Sequence, residues 1–152
     1  MNIIFLDIDG VLRTHKSDTE WSALLGVPIP TTVFERNFDK KAISSLNYIC
    51  HLTRAKIVIS STWRTSIDIE NIRKIFRKNE FHGQIIDYTP IGLNRGDEIV
   101  EWLDTNDVDK FVVIDDNVSD ILKHVSSKNV VKIETSIGLN ETHIDEIIDI
   151  LL

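Results

Sequence analysis

The feature that most constrains the fold is a series of short apolar runs, each closed by polar residues and followed by a segment with helical spacing. The clearest runs are residues 3–6, 57–59 and 111–114, with a shorter one at 85–86. Residues 130–133, apolar except for Lys132, predict a further strand. Continuous apolar runs are typical of strands buried on both faces of a parallel sheet. Alternating strands and helices therefore predict an α/β fold, a three-layer sandwich with a central parallel sheet.

Length and composition predict one globular domain over residues 1–152. The chain is 42% hydrophobic and 27% charged, which is ordinary for a soluble protein. Its apolar runs are far shorter than the roughly 20 residues of a membrane-spanning helix. The N-terminus does not read as a signal peptide, and Cys50, the only cysteine, allows no internal disulfide. Together these features predict a cytoplasmic protein without a membrane partner.

The net charge of −7 disfavours a broad surface that coats nucleic acid, because such a surface needs a basic face. It leaves room for a small basic site that binds a single phosphate. An acidic balance is also what a metal site built from carboxylates would contribute to.

Reactive side chains follow three of the apolar runs. Asp7 and Asp9 follow the run at 3–6, and Ser60 and Ser61 follow the run at 57–59. Asp115 and Asp116 follow the run at 111–114. In parallel sheets, ligand sites lie beyond the carboxyl ends of the strands. The sequence therefore brings four carboxylates and a hydroxyl cluster into one crevice.

Four crowded carboxylates repel one another unless something neutralises them. A single Asp after a strand is more often a helix cap or a turn residue, but four together favour a hard cation. Mg²⁺ takes oxygen ligands, commonly one or two carboxylates with phosphate and water. Residues i and i+2 of an extended chain point to the same side, so Asp9 can lie near Asp7. One carboxylate can then act as a nucleophile while the other moves a proton.

These motifs resemble those of the haloacid dehalogenase (HAD) phosphatase superfamily. The first motif of that superfamily, hhhDxDG[TV] with h apolar, fits residues 4–11. Its second, an apolar strand ending in Ser or Thr, fits 57–60, and its fourth, an apolar strand ending in paired Asp, fits 112–116. The third motif is usually a Lys, and Arg95 stands in its place here, as a cation that can bind phosphate in a bidentate way.

Within the superfamily, the chain is similar to the small HAD domains found alone and in RNA-repair proteins of bacteria and phages. The residues that carry this similarity are 60–64, Thr89 and Pro90, and 95–103. The resemblance implies phosphatase chemistry, with nucleic-acid ends as a candidate substrate.

The resemblance also implies a role for each site residue. Asp7 would form an aspartyl-phosphate, and Asp9 would act first as general acid and then as general base. The Mg²⁺ ligands would be Asp7, the backbone carbonyl of Asp9 and Asp115, with Asp116 bound to the ion directly or through water. The phosphate ligands would come from Ser60, Ser61, Arg95 and Arg64.

The determinants of substrate choice are less defined by the sequence. Residues 13–38 are the only stretch long enough for an insert, and we expect a small cap or flap there at most. Trp63 and Arg64 are candidates for stacking on a base or binding a second phosphate, with a core Trp and a surface Arg as the alternative. The sequence fixes neither the oligomeric state nor a protein partner.

Other functions remain open at this stage. A phosphatase of the same fold acting on small metabolites or proteins is one alternative, and a non-catalytic module that binds phosphate or another protein is a second. A phosphorylation-controlled receiver is disfavoured, because receivers carry the acidic pair after the first strand and the acceptor Asp after a middle one. No GxxxxGK[ST] motif occurs, which disfavours a P-loop NTPase.

Overall fold

The computed structural model describes residues 1–32 and 35–152. The strands are β1 (Asn2–Leu6), β2 (Lys56–Ile59), β3 (Ile85–Tyr88), β4 (Lys110–Asp115) and β5 (Val130–Lys132). The α-helices are α1 (His15–Leu25), α2 (Lys40–Thr53), α3 (Ile69–Lys78), α4 (Arg95–Asp104) and α5 (Ile144–Leu151). The strands form one sheet in the order β3-β2-β1-β4-β5, and every neighbouring pair is parallel. The predicted α/β fold with a central parallel sheet is confirmed.

Both faces of the sheet are buried, as the unbroken apolar runs predict. In β1, Ile4 and Leu6 belong to the core cluster that α2, α3 and α5 cover. Ile3 and Phe5 belong to a second cluster, which packs against α4. This alternation of side chains along one strand produces the three layers. None of the helices in the described ranges is long and apolar enough to cross a membrane.

One predicted helix is shorter than its spacing indicates. Ile121, Leu122 and Val125 predict a helix after β4, but residues Ile121–Lys123 form only a single 3₁₀ turn. A second turn, Ser127–Asn129, begins where the Ser126 hydroxyl accepts from the Lys128 N–H. Local hydrogen bonds of this kind compete with a continuing helix. Ile121 and Val125 are nevertheless buried, so the spacing reflects packing rather than a full helix.

The insert predicted at residues 13–38 contains α1 and the segment that leads to α2. Thr14 caps α1 through a reciprocal pair of hydrogen bonds with Ser17. The Trp21 Nε1–H donates to the Phe38 carbonyl at 2.9 Å, which ties α1 to the residues before α2. Val33 and Phe34 lie outside the described residues, and a cap function for the insert stays a prediction.

A tight turn takes the chain out of β1. The N–H groups of Val11 and Leu12 both donate to the Ile8 carbonyl, and Gly10 has φ +82°. A Cβ on Gly10 would lie 2.7 Å from Asp116 Cγ and 2.8 Å from Thr135 Oγ1. The turn after β1 can therefore pack against the loop after β4 only if this position lacks a side chain.

We expect Gly10→Ala to lower the free energy of unfolding by about 2–4 kcal/mol, from left-handed backbone strain and from crowding against Asp116. Gly26→Ala is the matched control, because Gly26 also has a positive φ but no atom within 4 Å of its ideal Cβ. It should cost only the backbone term, about 1–2 kcal/mol. Urea denaturation measures both, and equal losses would contradict the crowding.

Candidate active site

Three carboxylates meet where β1 and β4 end. The register pairs Leu6 with Ile114, so the next residues, Asp7 and Asp115, lie side by side. The Asp7 N–H donates to the Ile114 carbonyl at 3.1 Å, which extends the pairing by one residue. One oxygen each of Asp7, Asp115 and Asp116 lies within 4.8 Å of the others. We call these three residues the acidic cluster.

Arg95 is the cation beside the acidic cluster. Its Nη1 lies 2.7 Å from Asp115 Oδ2 and 3.6 Å from Asp7 Oδ1. It is the first residue of α4, which places it at the carboxyl edge of the sheet. Burial opposes its charge, but Asp115 and Asp7 together raise the pKa of Arg95. The guanidinium therefore stays charged and offsets part of the repulsion among the carboxylates.

Burial and crowding shift the protonation of the acidic cluster. Burial, and next the charge of Asp115, raise the pKa of Asp7 to about 8, against the influence of Arg95. Burial also raises the pKa of Asp115, again opposed by Arg95. Burial acts in the same direction on Asp116, but hydrogen bonds from Asp7 and Thr135 bring its pKa below the usual value. Asp7 and Asp116 therefore share a proton when no cation neutralises them.

The acidic cluster fits a hard divalent cation. Its three ligand atoms are all carboxylate oxygens, the ligand type that Mg²⁺ prefers over nitrogen or sulfur. The space that a Cβ on Gly10 would fill is occupied by the Asp116 carboxylate, so the turn after β1 leaves room for this ligand.

Two buried polar atoms have no hydrogen-bond partner among the described residues, Ser60 Oγ and Arg13 Nε. Ser60 is 0% exposed and follows β2, whose partner strand β1 carries Asp7 at the corresponding end. Its N–H donates to the Leu6 carbonyl at 3.1 Å. Buried polar groups in native proteins normally have partners. An unpartnered hydroxyl at this position is what a phosphate oxygen would satisfy.

Arg64, predicted to bind phosphate, donates its N–H groups to other residues of the chain. Its Nε and Nη1 groups donate to the carbonyls of Thr89, Ser60 and Ser61. Its Nη2 group donates to the Pro90 carbonyl and pairs with Glu98 Oε1 at 2.8 Å. A guanidinium has five N–H donors, and these five contacts use them. Arg64 thus joins the ends of β2 and β3 to α4, and none of its N–H groups is left to bind a phosphate.

Ser61 also serves the loop after β2. Its hydroxyl accepts from the Trp63 N–H at 3.2 Å and so caps the 3₁₀ turn Thr62–Thr65. Phosphate binding by Ser61 stays a prediction, whereas its capping bond is part of the structure.

Asp9 lies apart from the acidic cluster. Its side chain is 51% exposed, and its two oxygens accept from Arg13 Nη1 at 2.6 Å and from Trp63 Nε1 at 2.9 Å. The carboxylate is therefore not one of the three clustered ligands. This placement is compatible with the role implied by the resemblance, in which Asp9 binds the metal through its backbone carbonyl. The carboxyl group of Asp9 then stays available for proton transfer.

Sequence reasoning missed Arg13 and Thr135 at this site, and it gave Trp63 a different role. Arg13 contacts Asp9 four positions earlier, across the tight turn after β1, where the two residues form a β-bridge. Thr135 bonds to Asp116 and lies just beyond β5, so the strand-end rule that selected Ser60 could have selected it. The indole contact of Trp63 with Asp9 spans 54 positions and left no signal in the sequence.

Without a bound cation, we expect stability to fall as the pH rises from about 5 to about 8. The folded-state pKa of Asp7, about 8, exceeds its ordinary value of 3.8, so in this window the folded state holds a proton that the unfolded state has lost. One such proton contributes at most about 1.4 kcal/mol per pH unit.

Asp7→Asn should remove this part of the pH slope and stabilise the protein in EDTA. Urea denaturation at several pH values measures the change. Asp107→Asn, at an exposed loop position, should keep the wild-type slope. An unchanged slope in Asp7→Asn would contradict the raised pKa.

Comparison with known proteins gives one finding. No curated protein and no solved structure matches the chain significantly. The model of one family, described as the HAD domain in Swiss Army Knife RNA repair proteins, matches residues 3–144. Apart from Asn2, the first residue of β1, that span contains all five strands and every residue of the site described above. Membership of this family supports a HAD-type phosphoesterase in general. The chain therefore belongs to the family of HAD domains found in Swiss Army Knife RNA repair proteins.

Proposed function

We propose that the protein is a Mg²⁺-dependent phosphomonoester hydrolase that forms an aspartyl-phosphate on Asp7. The observation that carries this proposal is the convergence of Asp7, Asp115 and Asp116 beside Arg95. A buried nucleophile, a group of oxygen ligands and a cation are the parts that phosphoryl transfer requires. When bound, Mg²⁺ supplies positive charge that screens the nucleophile from the phosphate.

The first half-reaction transfers the phosphoryl group to the protein. A carboxylate oxygen of Asp7 attacks phosphorus, and the bond to the leaving oxygen breaks. Asp9, in its protonated form, gives its proton to that oxygen. The Ser60 hydroxyl and the Arg95 guanidinium donate to the non-bridging oxygens, which carry the charge.

The second half-reaction releases phosphate. Asp9, now ionised, takes a proton from a water molecule whose oxygen attacks phosphorus. The bond between phosphorus and the Asp7 oxygen breaks, which restores the Asp7 carboxylate and the protonated Asp9. The same side chain thus serves as acid and as base, which its exposed position allows.

For the substrate, we propose a nucleic-acid end. The family description, RNA repair, supports this choice. A groove of about 650 Å³ is lined in part by Trp21, Lys40 and Phe38. The Phe38 ring contacts that of Trp63, with centroids 6.0 Å apart, and Trp63 in turn binds Asp9. An aromatic side chain with a nearby Lys suits a base and a backbone phosphate.

The cytoplasmic location stays a prediction.

Turnover of phosphate esters tests the reaction. We expect hydrolysis of an aryl phosphate in Mg²⁺ and its loss in excess EDTA. Asp7→Asn should abolish the covalent phospho-enzyme, because an amide is a far weaker nucleophile than a carboxylate. Asp9→Asn should slow the first step by about 10² to 10⁴ on an alkyl phosphate and by much less on an aryl phosphate. Equal turnover in EDTA and Mg²⁺ would refute the metal requirement, and inactive wild type would favour a non-catalytic module.

Oligonucleotides bearing a 3′- or 5′-phosphate test the substrate. We expect a higher kcat/KM for one of them than for a sugar phosphate. Lys40→Gln should lower kcat/KM for the oligonucleotide about threefold to tenfold, and this loss should shrink in high salt. Lys41→Gln, the adjacent exposed position outside the groove, is the matched control. If both variants act alike, or if small esters are preferred, the nucleic-acid proposal fails while the phosphatase proposal stands.

A further inference from the structure

The Asp9 carboxylate is held from two sides by different elements. Arg13, which precedes α1, donates to Oδ1 at 2.6 Å. Trp63, in the 3₁₀ turn after β2, donates to Oδ2 at 2.9 Å. With both oxygens bound, the plane of the carboxyl group is fixed, although half of the side chain faces solvent.

Each donor is itself held in place. The Arg13 side chain is mostly buried, and its Nη2 pairs with Asp18 of α1 at 2.8 Å. Trp63 is buried and packs against Phe38, and its backbone N–H is bound by the Ser61 hydroxyl. While these contacts are in place, two donors that are each held by a further contact restrict the acceptor between them more than solvent would.

We propose that Trp63 and Arg13 are positioning residues that orient the Asp9 carboxyl group for both proton transfers. The inference rests on the proposed function. A group that gives a proton to the leaving oxygen and later takes one from water must face the same point in both half-reactions. The Trp63 and Arg13 contacts provide that constancy, because neither donor depends on substrate.

Trp63→Phe removes the indole N–H and keeps an aromatic ring against Phe38. We expect single-turnover formation of the phospho-enzyme to slow about tenfold on an alkyl phosphate, the size of one lost hydrogen bond to a charged group. On p-nitrophenyl phosphate, whose leaving group barely needs a proton, the first step should change less than about twofold. KM should be nearly unchanged for both esters.

Trp102→Phe is the matched control. The Trp102 indole also donates to a carboxylate, Asp87 Oδ2 at 2.7 Å, and is equally buried, but Trp102 is part of α4 and belongs to the other core cluster from Trp63. This variant should show no dependence on the leaving group. If Trp63→Phe and Trp102→Phe slow both esters alike, Trp63 is structural and the inference is wrong.

A double-mutant cycle gives the decisive measurement. In an Asp9→Asn background, Trp63→Phe should have almost no further effect on the alkyl ester, because its role passes through Asp9. Additive losses would overturn the inference.

Arg13→Gln provides an independent variant, should Trp63→Phe fold poorly. It should show the same leaving-group dependence, with Arg73→Gln, an Arg on α3 that contacts Glu70 and the Ile85 carbonyl, as its control. If the wild type hydrolyses neither ester, the proposed function fails and the positioning role falls with it. An active wild type with no leaving-group effect in either variant overturns the inference alone.

Discussion

The parallel pairing of β1 with β4 is the constraint on which the rest of the site depends. It sets Asp7 beside Asp115 in a place where both are almost entirely removed from water. Two ionised carboxylates at that separation are unfavourable in a buried environment. The remaining features of the site, namely Arg95, the proton shared with Asp116 and the oxygen-only ligand set, are different ways of meeting that cost. The proposed catalysis and the folding stability therefore depend on the same few side chains in opposite directions.

A second interaction, a buried ion pair, helps to position Arg95. Arg64 binds Glu98, and Glu98 is one turn beyond Arg95 on α4. The same guanidinium holds the carbonyls that follow β2 and β3. Arg64 thus links the loop that carries Ser60 to the helix that carries Arg95. The positions of both proposed phosphate ligands therefore depend on one buried ion pair, which restrains them more than a hydrogen bond to solvent would.

The strand-end rule was sufficient to find the acidic cluster and Ser60, because parallel strands deliver their final residues to a common edge. Arg95 follows no strand directly, and it was found through the family resemblance, at the place of the usual Lys. The rule could not assign Arg64, since a guanidinium that binds phosphate and one that binds five protein acceptors look the same in sequence. The helix predicted after β4 failed for a related reason. Periodicity reports which side chains are buried, and a 3₁₀ turn can bury Ile121 as well as a helix can. Contacts between distant positions, such as Trp63 with Asp9, depend on packing that no local pattern encodes.

The thin anchoring of α1 has a consequence for motion. Among its own residues only Ser17 is buried, and Leu24 and Leu25 project into solvent. A helix with so little buried apolar surface opens at a lower free energy than the sheet beneath it, and its amides exchange with solvent sooner than those of α2. Arg13 is attached to this helix through Asp18. Brief local opening of α1 would therefore release one side of Asp9 while the sheet and the acidic cluster stay folded.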